Sequence, residues 1–168
     1  MTALVVRAFE PRDADAVSRV VKAAFGGGEE AALIETLRRE NDMVCEFVAT
    51  TRSDTIGHIA FSRLQVRSDS EVRRAVALAP LAVAPAHQRS GVGKALTQFA
   101  LSALREAGEE VVVVLGHPNY YGALGFSALL AKLLDAPYSG NAFMVLELRA
   151  GALAGARWKV TYARAFSA

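Results

Sequence analysis

The stretch Leu81-Ala82-Val83-Ala84-Pro85-Ala86-His87-Gln88-Arg89-Ser90-Gly91-Val92-Gly93-Lys94-Ala95-Leu96 carries a buried-strand signal through a turn with two glycines and straight into a helix signal. Such a junction aims unpaired backbone N–H groups and the positive end of a helix dipole at one point, which favours an anion. Gly91 and Gly93 lack side chains, so a diphosphate can approach the backbone closely, and Arg89 and Lys94 add positive charge. Two common phosphate motifs fail here. A Walker A loop needs glycine in place of Gln88 and Ser or Thr in place of Ala95, and the dinucleotide fingerprint needs Gly or Ala in place of Leu96. Taken alone, a Gly-x-Gly is explained most cheaply as a tight turn.

The surrounding chain alternates strand and helix signals. Leu4 to Phe9 reads as a strand, and Asp13 or Asp15 caps a helix with Ala16, Val17, Val20, Val21 and Ala24 on one side, which Gly26-Gly27-Gly28 ends. A second helix from Glu29 to about Glu40 turns Ala32, Leu33 and Leu37 inward, with Ala31 as a further candidate, and Glu30, Arg38 and Arg39 outward. Val44 to Thr51 and Ile56 to Val66 form a hairpin about Arg52-Ser53-Asp54-Thr55. Ala75 to Ala84 is almost wholly apolar, as befits a central strand covered on both faces. The helix Val92 to Ala107, with a stripe of Leu96, Phe99, Ala100, Ala103 and Leu104, leads to the strand Val111 to Leu115. Two strands flanking one helix are expected to be parallel neighbours. A short helix at Tyr120 to Leu124 and a strand at Ala142 to Leu148 follow, while residues 150 to 157 read as a turn and Trp158 and Tyr162 as a cap on the core.

Composition excludes several classes. With 168 residues, 52% hydrophobic and 21% charged, a single domain over residues 1–168 is expected. A net charge of +2 gives no strong field for nucleic acid or lipid, so nucleic-acid binding ranks low despite the arginines at 63, 67, 73 and 74, which read as solvated strand ends. The longest apolar run, Ala75 to Ala86, is too short for a membrane span of about 20 residues. Cys45 as the only cysteine excludes an internal disulfide and suits a reducing compartment. His58, His87 and His117 lack metal-ligand spacing, so no metal is expected. No export signal precedes Glu10-Pro11, and a cytoplasmic location is expected.

With these elements in place, Gln88-x-x-Gly91-x-Gly93 after an apolar strand resembles the pyrophosphate loop of the GNAT superfamily of acetyl-CoA-dependent N-acetyltransferases. Tyr121-Gly122-Ala123-Leu124-Gly125-Phe126 resembles that superfamily's Tyr-x-x-x-Gly-Phe segment. The run Gly-His-Pro-Asn-Tyr-Tyr at 116 to 121, with Phe143 to Leu148, is similar to the YhbS-like bacterial branch, although Trp158 stands where that branch tends to carry glycine. The likeness extends from about Leu4 to Leu148 and is closest from Leu78 to Phe126.

The resemblance implies an α/β (α+β) fold. Its mixed, mostly antiparallel sheet has six or seven strands, helices on both faces, and a splay between two parallel central strands. It implies acetyl-CoA as co-substrate, with Leu81, Ala82 and Val83 pairing the pantetheine arm. The amides of Arg89, Ser90, Gly91, Val92, Gly93, Lys94 and Ala95 would hold the diphosphate, with Gln88 opening the cofactor-binding loop. Tyr121 would donate a proton to the departing thiolate, with Tyr120 as the adjacent alternative, since a phenol is protonated at neutral pH.

The base is open. The strand Ala75 to Ala84 has no carboxylate, though the superfamily often places one there. His117 is expected near the splay, His58 and Glu46 are rivals, and a water chain could replace all three. The acceptor is expected to be an amine, on a small molecule or on a protein or peptide. A homodimer is left open. The alternative function is an acyl-CoA-binding module without catalysis, and the triple glycine 26 to 28 reads equally as a hinge or a helix stop.

Overall fold

A computed structural model describes residues 3–167. The chain forms β1 (Val5–Ala8), α1 (Ala14–Phe25), α2 (Glu29–Arg39), β2 (Met43–Thr50), β3 (Thr55–Arg67), β4 (Val72–Val83), α3 (Val92–Glu106), β5 (Val111–Leu115), α4 (Pro118–Ala123), β6 (Leu134–Asp135), β7 (Phe143–Glu147) and β8 (Trp158–Tyr162). All eight strands join one sheet in the order β1-β2-β3-β4-β5-β7, with β8 pairing both β3 and β6. The expected mixed sheet is present with eight strands. The additions are the two-residue β6 and β8, whose Trp-Lys-Val-Thr-Tyr alternation pairs Leu64 to Arg67. Among the described residues only β4–β5 and β6–β8 run parallel.

Side-chain alternation assigns the layers. Ile59, Phe61, Val76, Leu78, Val112 and Val114 project to the face covered by α3 and α4, where Leu96, Ala100, Leu101 and Leu104 complete the core. Phe99, expected in that stripe, lies half exposed at its rim against Phe47, while Leu101 is buried. The other face takes Val48 and Ala82 beneath α1 and α2. It also takes Leu64, Val66, Ala75, Ala77, Val111 and Val113 beneath the C-terminal segment containing Trp158. Burying each of these larger aliphatic side chains contributes about 1.5–3 kcal/mol, so both faces are committed by packing.

Two local devices shape the centre. Ile59 pairs with Leu81 and Phe61 with Leu78, so β4 carries one extra residue there and bulges. At the opposite end of β4, the buried Glu109 carboxylate accepts from Arg63 at 2.8 and 2.9 Å and from Arg74 at 3.0 Å, clamping β3, β4 and the start of β5 together. Arg63 and Arg74 are therefore ion-pair partners rather than solvated strand ends. Arg73 bonds the Ala152 carbonyl at 2.6 Å and stacks over Trp158 at 4.6 Å.

Candidate functional site

β4 and β5 pair only at Ala75–Val111, Val76–Val112 and Ala77–Val113. Beyond that point β4 continues to Val83 and β5 to Leu115 without pairing each other. The clamp at Glu109 fixes the closed end of this V, and the bulge lies on the diverging part of β4. The β4 edge that faces the gap keeps backbone groups that require a partner.

The gap opens into a cavity of about 840 Å³ lined by both strands, including Leu81, Val83 and Gly116, and by residues from both sheet faces. Ala82, from the same expected set, turns its side chain into the core under α1, and its backbone faces β3, because Ala84 N–H donates to the Ile56 carbonyl at 2.8 Å in the register that pairs Ala82 with His58; the gap is left to the backbones of Leu81 and Val83. From the α3 face come Gln88, Arg89, Gly91, Gly93, Lys94, Tyr120 and Tyr121. From the opposite face come Phe25, Glu30, Leu33, Tyr138, Tyr162 and Phe166.

At the loop before α3, Arg89 adopts φ 60° and Gly91 φ 91°. These left-handed residues turn the chain so that the helix begins facing the cavity. The amides of Arg89 to Lys94 make no well-formed backbone hydrogen bond among the described residues. Ala95, expected among the diphosphate donors, instead gives its N–H to the Gly91 carbonyl at 3.0 Å, the first bond of the helix. The donor set therefore ends at Lys94. The Val92 side chain is buried, and the Ser90 hydroxyl donates to the His87 carbonyl. The Gln88 side chain donates to the Val83 carbonyl at 3.0 Å, which ties the loop to the end of β4.

At the other wall, Tyr121 is buried and packs edge-to-face on Tyr120 (4.9 Å) and Phe126 (5.5 Å). Burial, with a smaller contribution from the Tyr120 phenol, pushes its hydroxyl pKa well up, so it stays protonated. His117 is exposed at the cavity edge, where it caps α4 and its carbonyl accepts from Tyr121 N–H at 3.1 Å. The structure thus brings Tyr121, Tyr120 and His117 together.

The other base candidates lie elsewhere. His58 is fully buried and its Nε2 stands 2.8 Å from Glu46, whose carboxylate also accepts from Arg38 at 2.7 and 2.9 Å. Burial alone would raise the Glu46 carboxyl, but these two partners outweigh it and hold it below the usual range. Neither residue lines the cavity, so both belong to a structural network beneath α1 and α2. Glu30, expected on the outward face of α2, is the one carboxylate lining the cavity among the described residues. Its helical spacing to Leu33, also cavity-lining, was the available signal. No group of three or more His, Cys, Asp or Glu side chains could hold a metal among the described residues.

A parallel pair that parts ahead of an amide-lined glycine loop is the layout of an acyl-CoA-dependent transferase. Residues 5–129 match the acetyltransferase (GNAT) domain, and the chain belongs to that family of N-acetyltransferases. Its relatives include the uncharacterized N-acetyltransferase YhbS of Escherichia coli (strain K12), 30% identical over 167 residues, which span 98% of this chain and 99% of that protein. Another is the uncharacterized N-acetyltransferase YjhQ of the same organism, 34% identical over 129 residues, covering 75% of this chain and 71% of YjhQ.

Among solved structures, Escherichia coli YhbS in complex with CoA superposes with a TM-score of 0.91 at 30% identity, covering 100% of this chain and 94% of that one. A GNAT family acetyltransferase from Brucella melitensis in complex with acetyl-CoA gives 0.80 at 29% identity, with 98% of each chain covered. No helix among the described residues is long and apolar enough to cross a membrane.

Proposed function

We propose that this chain transfers an acetyl group from acetyl-CoA to a primary amine by direct attack of the amine on the thioester. The observation that carries this reading is the parting of β4 and β5 beyond Ala77 and Val113, which leads directly to the unpaired amides before α3. Relatives crystallised with CoA and with acetyl-CoA support the choice of co-substrate.

In this reading the amides of Arg89 to Lys94 hold the diphosphate, with the side chains of Arg89 and Lys94 adding charge. The free edge of β4, through the backbone of Leu81 and Val83, pairs the pantetheine arm. An amide on this edge also faces the negative charge that develops on the carbonyl oxygen as the amine nitrogen attacks. Acetyl-CoA supplies the activated acyl group and a thiolate leaving group. As the C–S bond breaks, Tyr121 gives its proton to the sulfur. The amine proton leaves through His117, or through water at the exposed cavity edge, and a proton from solvent restores Tyr121. Holding the groups in one enclosed site supplies orientation that free reactants lack.

In this reading the chain acts as a single domain in the cytoplasm on an amine of a small molecule or of a protein or peptide. Incubation with acetyl-CoA and a broad amine panel, monitored by thiol release and with a Tyr121→Phe control, tests the reading. Amine-dependent CoA release that Tyr121→Phe slows is expected. Tight CoA binding with no turnover on any amine would instead indicate an acyl-CoA-binding module.

A further inference from the structure

The cavity passes through the split sheet, and its two ends differ in charge. On the α3 face its ionisable lining includes Arg89 and Lys94, suited to phosphates. On the other face the lining consists of Phe25, Leu33, Tyr138, Tyr162 and Phe166 with one carboxylate, Glu30.

The rings are ordered among themselves. Tyr162 meets Tyr138 edge-to-face at 5.2 Å and Phe166 at 5.3 Å, forming a ladder from the β6–β7 loop through β8 to the C-terminal turn. Burial, then the neighbouring Tyr138, raises the Tyr162 phenol, so this wall stays neutral. Glu30 takes part in no side-chain hydrogen bond or ion pair among the described residues, unlike Glu46, Glu109 and Glu110. Its position in the first turn of α2 is explained by the helix dipole. The dipole does not explain why this carboxylate borders a cavity otherwise walled by neutral rings.

A single unpaired negative charge beside an aromatic surface matches a ligand with one positive charge and an apolar body. An acceptor with its own carboxylate would meet Glu30 with repulsion. A polyamine would bring further ammonium groups for which this end has no further carboxylate.

Building on the transferase reading, we propose that the acceptor is a monocationic arylalkylamine or similarly apolar amine. Its ammonium is drawn in by Glu30, and its apolar part lies against Tyr138, Tyr162 and Phe166. The ammonium then gives a proton to water in the cavity, and the neutral nitrogen reaches the thioester across the split.

The test compares 2-phenylethylamine, phenylalanine and spermidine at saturating acetyl-CoA, in the unaltered protein and in Glu30→Gln and Tyr162→Leu. The expected kcat/KM for 2-phenylethylamine exceeds that for either competitor at least tenfold. Glu30→Gln is expected to raise the KM for 2-phenylethylamine about tenfold, with kcat within about threefold and the acetyl-CoA KM unchanged. It should also narrow the gap to phenylalanine, and Tyr162→Leu should raise the same amine KM without touching the acetyl-CoA KM.

Preference for spermidine or phenylalanine, or an amine KM indifferent to Glu30→Gln, overturns the inference and leaves the transferase reading standing. If no amine turns over, calorimetry of 2-phenylethylamine binding to the CoA-loaded protein decides. Binding that Glu30→Gln abolishes supports the acceptor site while the transferase reading falls, and absence of binding overturns this inference as well.

Discussion

The Tyr120 hydroxyl stands 2.9 Å from the point that a Cβ on Gly93 would occupy, so the first turn of α3 and the start of α4 meet where only glycine fits without displacement. Because the crowding atom ends a half-exposed side chain, Gly93→Ala is expected to push Tyr120 into the cavity rather than unfold the helix. Calorimetry should show CoA affinity weakened at least tenfold. The melting temperature should change little, since alanine favours the helix by up to about 1 kcal/mol. Affinity within twofold of the original would remove the Gly93 backbone from the proposed diphosphate site.

Tyr121→Phe removes the proposed proton donor and keeps the ring against Tyr120 and Phe126. Turnover is expected to fall about 30- to 100-fold with the acetyl-CoA KM within about twofold. Since burial raises this phenol, it remains a donor as pH rises, and kcat should show no falling limb from Tyr121 below about pH 10. Steady-state kinetics from pH 6 to 10 checks both. Equal losses in cofactor affinity and turnover would mark Tyr121 as a packing residue.

Glu109→Gln tests the closed end of the V. Burial alone would raise the Glu109 carboxyl, but Arg63 and Arg74 outweigh it and hold it below the usual range. A carboxyl lowered on folding stabilises the protein above its unfolded pKa of about 4.3, and that contribution disappears as pH falls through the folded value. Glu109→Gln is expected to cost about 2 kcal/mol at pH 7, allowing for the solvent exposure of both arginines. Urea unfolding from pH 7 to 3 should show the two proteins converging as pH falls. A pH-independent offset would mean that the pair contributes by packing alone.

Much of this layout was legible because its signals are local. Gly91 and Gly93 after an apolar strand, and Tyr121 four residues before Gly125-Phe126, mark the loop and the α4 wall on their own. The run Val111 to Leu115 is unambiguous as a strand. Partnerships between segments distant in sequence were not legible. Nothing near Arg63 announces Glu109, 46 residues away, and Glu46 and His58 resemble base candidates until Arg38 and the buried setting enclose them. The Trp158 to Tyr162 alternation was readable as a strand, but its five residues follow a Gly- and Ala-rich turn, and its partner at the far end of β3 is about 95 residues earlier. Glu30 reads as outward because it is charged, as Arg38 and Arg39 are. That the cavity reaches α2 is a tertiary fact.

Cys45 supplies a check on chemistry rather than fold. Burial, followed by the nearby Glu109 and Glu46 charges, pushes its thiol up to about 12, so little thiolate forms at neutral pH. Ellman's reagent at pH 8 is expected to modify folded protein at least tenfold more slowly than urea-unfolded protein, so released CoA can be measured over a low background. Equal rates in the two states would contradict this environment.

Isothermal titration of acetyl-CoA and of CoA into folded protein tests the account most directly. It predicts one site per chain, with binding by both ligands weakened as salt rises because phosphates meet Arg89 and Lys94. Absence of any heat at several temperatures, with no change in melting temperature, would contradict the claim that the loop before α3 holds the diphosphate.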